Sequence, residues 1–224
     1  MKKTNIGLEK INRDELYRYV GTPDDIVRGI IDESEKELIN LVKPGYVWNL
    51  FDIKATEAGV EVIGTDIVLS GMSIRKHLAG CEKLVLLAAT MSTEADKLIR
   101  KYQINDMTKA VIVDAMASVA IEQVCNMAEE EIKLYLPDMY FTYRFGIGYG
   151  DLPLDLEKDI LNTLQAQKNI GLCVTEANIL TPLKSVVCVI GISDKPMEKG
   201  QKGCVTCNMK DVCKYRKQGL NCGY

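Results

Sequence analysis

The chain is poor in the groups that active sites use to move protons. It holds one histidine, His77, among 224 residues. A Ser-His-Asp or Cys-His catalyst would have to recruit it, yet it follows Lys76 on a short amphipathic stretch with no nucleophile signature nearby. A structural or surface role is expected for it. The lone imidazole also excludes multi-histidine catalytic zinc sites. Aromatic residues are 6% of the chain, and the formal charge is −3. The stacking platforms and basic surface of a nucleic-acid binder are therefore both missing. No apolar run approaches the ~20 residues that span a bilayer. The longest, Leu84–Ala89 and Val186–Ile192, are of strand length, and the opening MKKTNIGLEKINRDE turns polar before a signal-peptide core forms. The expectation is a cytoplasmic protein without a membrane or nucleic-acid partner.

What is present is ordinary for a globular protein. The chain is 47% hydrophobic and 26% charged, long enough for one large domain or two small ones with a real core. Apolar residues recur at helical spacing over 13–43, interrupted by Gly21 and Pro23, with Thr22 or Asp24 near the second cap and Pro44-Gly45 as the stop. The stretch 46–69 reads as β, 73–79 as a short helix, Leu84–Ala89 as a buried strand and 92–103 as a helix. Asp106 is placed to cap a long helix reaching about Tyr135, closed by Pro137. Its apolar face would use Ala110, Val113, Ala117, Ala120, Ile121, Val124 and Ile132. Met139–Phe145 alternates like a strand, Asp155 starts a helix to about Gln167, and Leu172–Val174 and Val186–Ile192 are strands. The order mixes α and β without the regular alternation of a doubly wound fold.

Three features point to chemistry. The first is the glycine-rich turn Arg144-Phe-Gly-Ile-Gly-Tyr-Gly-Asp151. Its spacing is neither G-x-G-x-x-G nor a P-loop, and the next helix starts too late for a phosphate to sit on its N-terminus. The glycines serve a tight turn, and the guanidinium beside closely approachable backbone suits two-pronged capture of a carboxylate. The second is the long helix, where Asp114, Ser118 and Glu122 fall at i, i+4 and i+8 and so share one stripe. Periodicity alone makes that stripe a solvated face, and it places Glu129, Glu130 and Glu131 in solvent. The small neighbours Ala115, Ala117 and Ala120 leave room for something to lie against it. The third is the C-terminus. Cys204, Cys207, Cys213 and Cys222 form C-x2-C-x5-C-x8-C, the arithmetic of a four-thiolate site for zinc or an iron–sulfur cluster. From Lys199 onward six basic residues and one acidic residue give +5, leaving −8 on the body. Cys81, Cys125, Cys173 and Cys188 lie in apolar segments and read as core residues.

Several segments, in this order and spacing, resemble a known family over about residues 12–194. They are Leu16-Tyr-Arg-Tyr-Val-Gly21, His77-Leu-Ala-Gly-Cys81 running into Leu84–Thr90, Asp114-Ala-Met-Ala-Ser118 with Glu122, Arg144 through Gly150-Asp-Leu-Pro-Leu154, Gly171–Glu176, and Pro182-Leu-Lys-Ser-Val186. The family is the activation, S-adenosylmethionine-binding, domain of cobalamin-dependent methionine synthase, in its free-standing form. Its ligand turn is Arg-x-x-Pro-Gly-Tyr; Arg144, Gly148 and Tyr149 match, while Ile147 stands where the proline would be. The helix carboxylate of the large multidomain enzymes falls at Ser118, with Glu122 one turn on. The aromatic strand that closes the multidomain version is absent, and the Cys tail stands in its place.

The resemblance implies an α+β fold: a curved antiparallel sheet with flanking helices over residues 1–198, its N-terminal helical part at about 12–43, followed by a basic, Cys-rich tail over 199–224. It implies that Arg144 meets the ligand's carboxylate end, that the turn at Gly148 and Tyr149 receives the adenosyl part, and that Glu122 and Asp114 face the groove. The implied activity is reductive reactivation of cobalamin. Cob(II)alamin on a methionine synthase subunit or other corrinoid protein accepts an electron from a flavodoxin or ferredoxin, and S-adenosylmethionine supplies the methyl group. Cobalt is then the nucleophile, which suits a chain without an acid–base pair. The competing expectation is a non-catalytic redox or docking module that works through a metal-bearing tail.

Overall fold

The computed structural model describes residues 1–197 and Val212. Apart from Val212, the tail expected over 199–224 lies outside the described residues, its four cysteines included.

The fold is organised by one strand, β5 (Lys83–Thr90), which is apolar on both faces. Leu84, Leu86 and Ala88 point to one side, Val85, Leu87 and Ala89 to the other, and all six are fully buried. Such a strand must be covered on both faces and flanked on both edges. β2 (Gly45–Ala55) and β10 (Ser185–Ser193) flank it, both antiparallel, with Val47 and Val187 opposite Ala88. β1 (Lys2–Asn5) and β3 (Val60–Val62) share the outer edge of β2, and β4 (Val68–Leu69) adds to β3. β6 (Tyr140–Phe141) and β7 (Phe145–Gly146) pair with the outer edge of β10. The result is one eight-stranded antiparallel sheet. A separate hairpin joins β8 (Cys173–Val174) to β9 (Leu180–Thr181).

Helices cover both faces, so the expected α+β class holds. On one side lie α1 (Arg13–Val20), α2 (Asp25–Leu41), α4 (Thr93–Asn105) and α5 (Met107–Tyr135), packed over Val85, Leu87, Cys188 and Ile190. On the other lie α3 (Met72–His77), α6 (Leu156–Thr163) and α7 (Ala166–Ile170), over Leu84, Leu86, Val187 and Val189. The capping carboxylates sit where the sequence predicts them. Asp24 accepts from the Val27 amide at 2.8 Å and Asp106 from the Lys109 amide at 3.1 Å. Every apolar position predicted for α5 is buried. By length and composition α5 is apolar enough to cross a membrane, but that apolar surface is spent on the sheet and α4, which makes it a core helix.

Three local expectations are corrected, and the N-terminus adds an element. The Met139–Phe145 strand is broken into β6 and β7, where the Thr142 hydroxyl, not a strand carbonyl, accepts from the Gly191 amide at 2.8 Å. The helix predicted to reach Gln167 ends at Thr163, and Gln165 takes a left-handed conformation before α7; Asp155 makes no side-chain cap bond. The polar N-terminus forms β1. Of the three consecutive glutamates only Glu130 is exposed. Glu131 accepts from the Tyr46 hydroxyl at 2.6 Å, the Trp48 indole at 3.1 Å and the Thr4 hydroxyl at 3.0 Å, tying β1 and β2 to α5.

Candidate functional site

The alternation of a strand sends Arg144 and its neighbour Phe145 to opposite faces of the sheet. Phe145 is buried in the α3–α6 layer, while Arg144 reaches across to α5. There its guanidinium is held by three acceptors on successive turns. Nη2 donates to Glu122 at 2.8 Å, and Nη1 donates to Asn126 at 2.9 Å and Glu129 at 2.5 Å. The side chain is 20% exposed. Burial opposes its charge; the Glu129 and Glu122 carboxylates outweigh that, so the guanidinium is held more firmly protonated. Burial pushes the Cys125 thiol up to about 12, which makes it an inert packing residue rather than a nucleophile. Cys188 is buried as well, whereas Cys81 and Cys173 are only partly so.

The turn after Arg144 is fixed by its glycines and by one carboxylate. Gly148 has φ +81°, and a Cβ there would lie 2.6 Å from Leu154 Cδ1. Asp151 accepts from the Met72 amide at 2.6 Å and the Ser73 amide at 2.9 Å, so the turn is stapled to the start of α3. Those two amide bonds hold its carboxyl below the usual range. Tyr149 is 46% exposed and stands edge-on to Phe145, with centroids 5.5 Å apart. Phe145 in turn packs on His77 at 4.9 Å, and His77 on Tyr143 at 4.5 Å. The single histidine is therefore part of an aromatic row that carries the turn, the structural role expected of it. Ile147, where the family turn has proline, is buried, and its amide donates to the Val187 carbonyl at 3.2 Å. A proline could not make that bond.

Arg144 and Glu122 are brought into direct contact. Asp114 lies two turns away and pairs with Lys184 at 2.9 Å, and the same ammonium donates to Ser118 at 2.9 Å. Gly148 and Tyr149 follow Arg144 around the sheet edge toward α3. The alanines expected to open the stripe, Ala115, Ala117 and Ala120, are buried and serve close packing. Room comes instead from Gly146, on the same face of the strand as Arg144. A Cβ there would meet nothing within 4 Å. On this face Gly146 and the partly buried Val186 lie beside α5, with Lys184 paired at Asp114 and Ser118 and Arg144 at Glu122, Asn126 and Glu129. Lys184, Asn126 and Glu129 join these contacts without being singled out by periodicity. Each follows only from which strand edge faces α5. The tail cysteines fall outside the described residues, and among those described no group of three metal-ligating side chains converges.

Thirteen solved chains match this fold. One is the MetH reactivation domain bound to AdoHcy, with a TM-score of 0.64 and 16% identity over 98% of this chain and 86% of that one. At that identity the likeness is one of fold. No family model matches the sequence, and no curated protein does.

Proposed function

We propose that this chain binds S-adenosylmethionine in the groove between α5 and the Arg144–Asp151 turn, and that it supports reductive methylation of cob(II)alamin on a separate corrinoid protein. The observation that carries the reading is Arg144 beside Glu122, on a fold shared with a reactivation domain whose solved form holds AdoHcy. The donor set suits a zwitterion. Arg144 gives three of its five N–H groups to α5, and the remaining two have no acceptor among the described residues. A ligand carboxylate fits those donors, and Glu122 and Asp114 supply negative charge for an ammonium or sulfonium. Tyr149 offers an exposed ring beside the turn, whose path Gly148 sets by its positive φ with Leu154 packed where a Cβ would be. The bound ligand brings an electrophilic methyl group; the chain's own contribution is to orient it and to keep its charged end out of the way.

The partner is a cobalamin-binding methionine synthase subunit or a related corrinoid protein, with a flavodoxin or ferredoxin as electron donor. For the tail we propose one metal centre, zinc or iron–sulfur, held by Cys204, Cys207, Cys213 and Cys222. The decisive experiment mixes purified chain, a candidate corrinoid protein, a low-potential reductant and methyl-labelled S-adenosylmethionine. Labelled methylcobalamin that depends on the chain is the expected outcome. Binding of S-adenosylmethionine without any methylcobalamin, across the candidate partners, would leave a binding module and remove the reactivation role.

A further inference from the structure

After β10 the chain turns back on the body. The Lys195 amide donates to the Ser193 hydroxyl at 3.1 Å, and the Met197 sulfur accepts from the Cys81 thiol at 3.4 Å. Cys81 packs with the α3–α6 layer, so the chain is handed to that face of the sheet and not to the α5 face. On the same face, apolar groups stand in solvent where α3 begins. Met72 is 61% exposed, and Pro153 and Leu154 are exposed as well. Asp151 bonds the Met72 and Ser73 amides and so holds these two segments together. This flank of the turn is acidic. Between 151 and 159 Asp151, Asp155 and Asp159 are exposed, against one exposed ammonium, Lys158. The two amide bonds keep Asp151 below the usual carboxylate range. The bases of α3, Arg75 and Lys76, lie in its last turn, at the end away from Met72.

The sequence that follows Met197 has the opposite charge, +5 from Lys199 onward against −8 on the body. It is also long enough. α3 is about 9 Å long, and the step from His77 to Cys81 adds at most about 14 Å. The Cys81 amide donates to the Leu78 carbonyl at 3.0 Å, which shortens that step. Residues 198–204 alone span about 23 Å when extended, so the chain reaches Met72 by the first tail cysteine. We infer that the tail, residues 199–224, docks on the flank formed by Met72, Pro153 and Leu154, with its lysines facing Asp151, Asp155 and Asp159. The flank belongs to the α3–α6 face and Arg144 to the other, so docking leaves the arginine's contacts open. An acidic partner that binds the tail competes with these carboxylates for the same lysines. The inference stands independently of the S-adenosylmethionine reading.

The test uses the full chain and two methionines as mutual references. On the body Met72 and Met107 are equally open, at 61% and 62%, and Met107 starts α5 on the opposite face. A short hydroxyl-radical pulse followed by peptide mass spectrometry reads the oxidation of each. Met72 should oxidise several-fold more slowly than Met107 in the full chain. A zero-length carbodiimide should link tail lysines such as Lys199, Lys202 and Lys210 to Asp151, Asp155 or Asp159 within one chain. Asp155→Lys combined with Asp159→Lys, both at exposed positions, should bring Met72 up to the rate of Met107 and abolish the links, with an unchanged melting temperature. Equal rates in wild type would overturn the inference. So would protection that disappears on dilution together with a dimer in sedimentation, since a second copy would then cover the flank. Protection that persists in the folded double variant would overturn it too, because charge would not be what seats the tail. Were the double variant not to fold, wild type in about 1 M salt, where charges are screened beyond ~3 Å, is read by the same criterion.

Discussion

Arg144 shows how a single side chain serves two purposes at once. Its three bonds to α5 hold the edge of the sheet against the helix, and its two remaining donors are the ones proposed to meet the ligand carboxylate. Arg144→Ala should weaken S-adenosylmethionine binding by about 1.5–3 kcal/mol, or about 10- to 150-fold. Calorimetry on a folded variant with unchanged affinity would remove Arg144 from the site. Lysine should not substitute, because one ammonium cannot bond Glu122 and Glu129 and still present a planar fork. Glu122→Gln should also cost affinity, with little change in melting temperature, since its carboxylate is about half exposed. A second residue-scale consequence lies on the other face of the sheet. Glu157 is 5% exposed, its Oε2 has no hydrogen-bond partner among the described residues, and burial pushes its carboxyl up to about 7. The folded state therefore holds a proton that the unfolded chain has released, and stability falls as pH rises from the ordinary carboxylate range through about 7. Glu157→Gln should remove that slope, with a gap on the order of 2 kcal/mol above neutrality and none near pH 4. Parallel denaturant curves for the two proteins at pH 5 and pH 8 would refute it.

At the scale of elements, what could be read from the sequence was whatever announced itself locally. β5 and β10 are apolar runs of strand length, α5 carries an uninterrupted helical period between Asp106 and Pro137, and Gly21 with Pro23 separates α1 from α2. The α+β class followed from these elements and the family resemblance together. What was not legible depended on distant partners. Lys2–Asn5 looks like a polar overhang, and it becomes a strand because Glu131, on the far end of α5, gathers Thr4, Tyr46 and Trp48. Likewise Lys184 and Asp114 come together only once β10 is docked beside α5. Periodicity could say that Asp114, Ser118 and Glu122 share a stripe, but not that two cations lie on it. Glu131→Gln tests this anchoring. Burial alone would raise the Glu131 carboxyl; its bonds from Tyr46, Trp48 and Thr4 hold it below the usual range instead, so its contribution is present near neutrality and fades in acid. Removing the charge should cost about 1.5–3 kcal/mol at pH 7. Trp48 fluorescence should shift as a neutral acceptor replaces the charged one at the indole, and the cost should shrink as the pH approaches 4.

At the scale of the whole molecule, two cores on either face of one sheet are complete within residues 1–197. A protein ending at residue 198 should therefore fold and bind S-adenosylmethionine like the full chain, while losing the +5 patch and the proposed metal centre. Metal analysis of anaerobically purified full-length protein should find about one zinc, or at least two irons, per chain, with occupancy falling in acid as the thiolates protonate. A truncated protein that melts much earlier would mean that the tail is part of the fold. The position of β10 carries a consequence for biosynthesis. It is the last of the described strands in chain order, yet it sits near the middle of the sheet, between β5 and the β6–β7 edge. A ribosome that has made 180 residues has therefore produced a β5 with one bare, eight-residue apolar edge, and β6 and β7 have nothing to pair with. Such an edge is a template for any passing strand. The nascent chain must be shielded until Ser193 emerges, and premature termination before that point should yield aggregates rather than a smaller working domain.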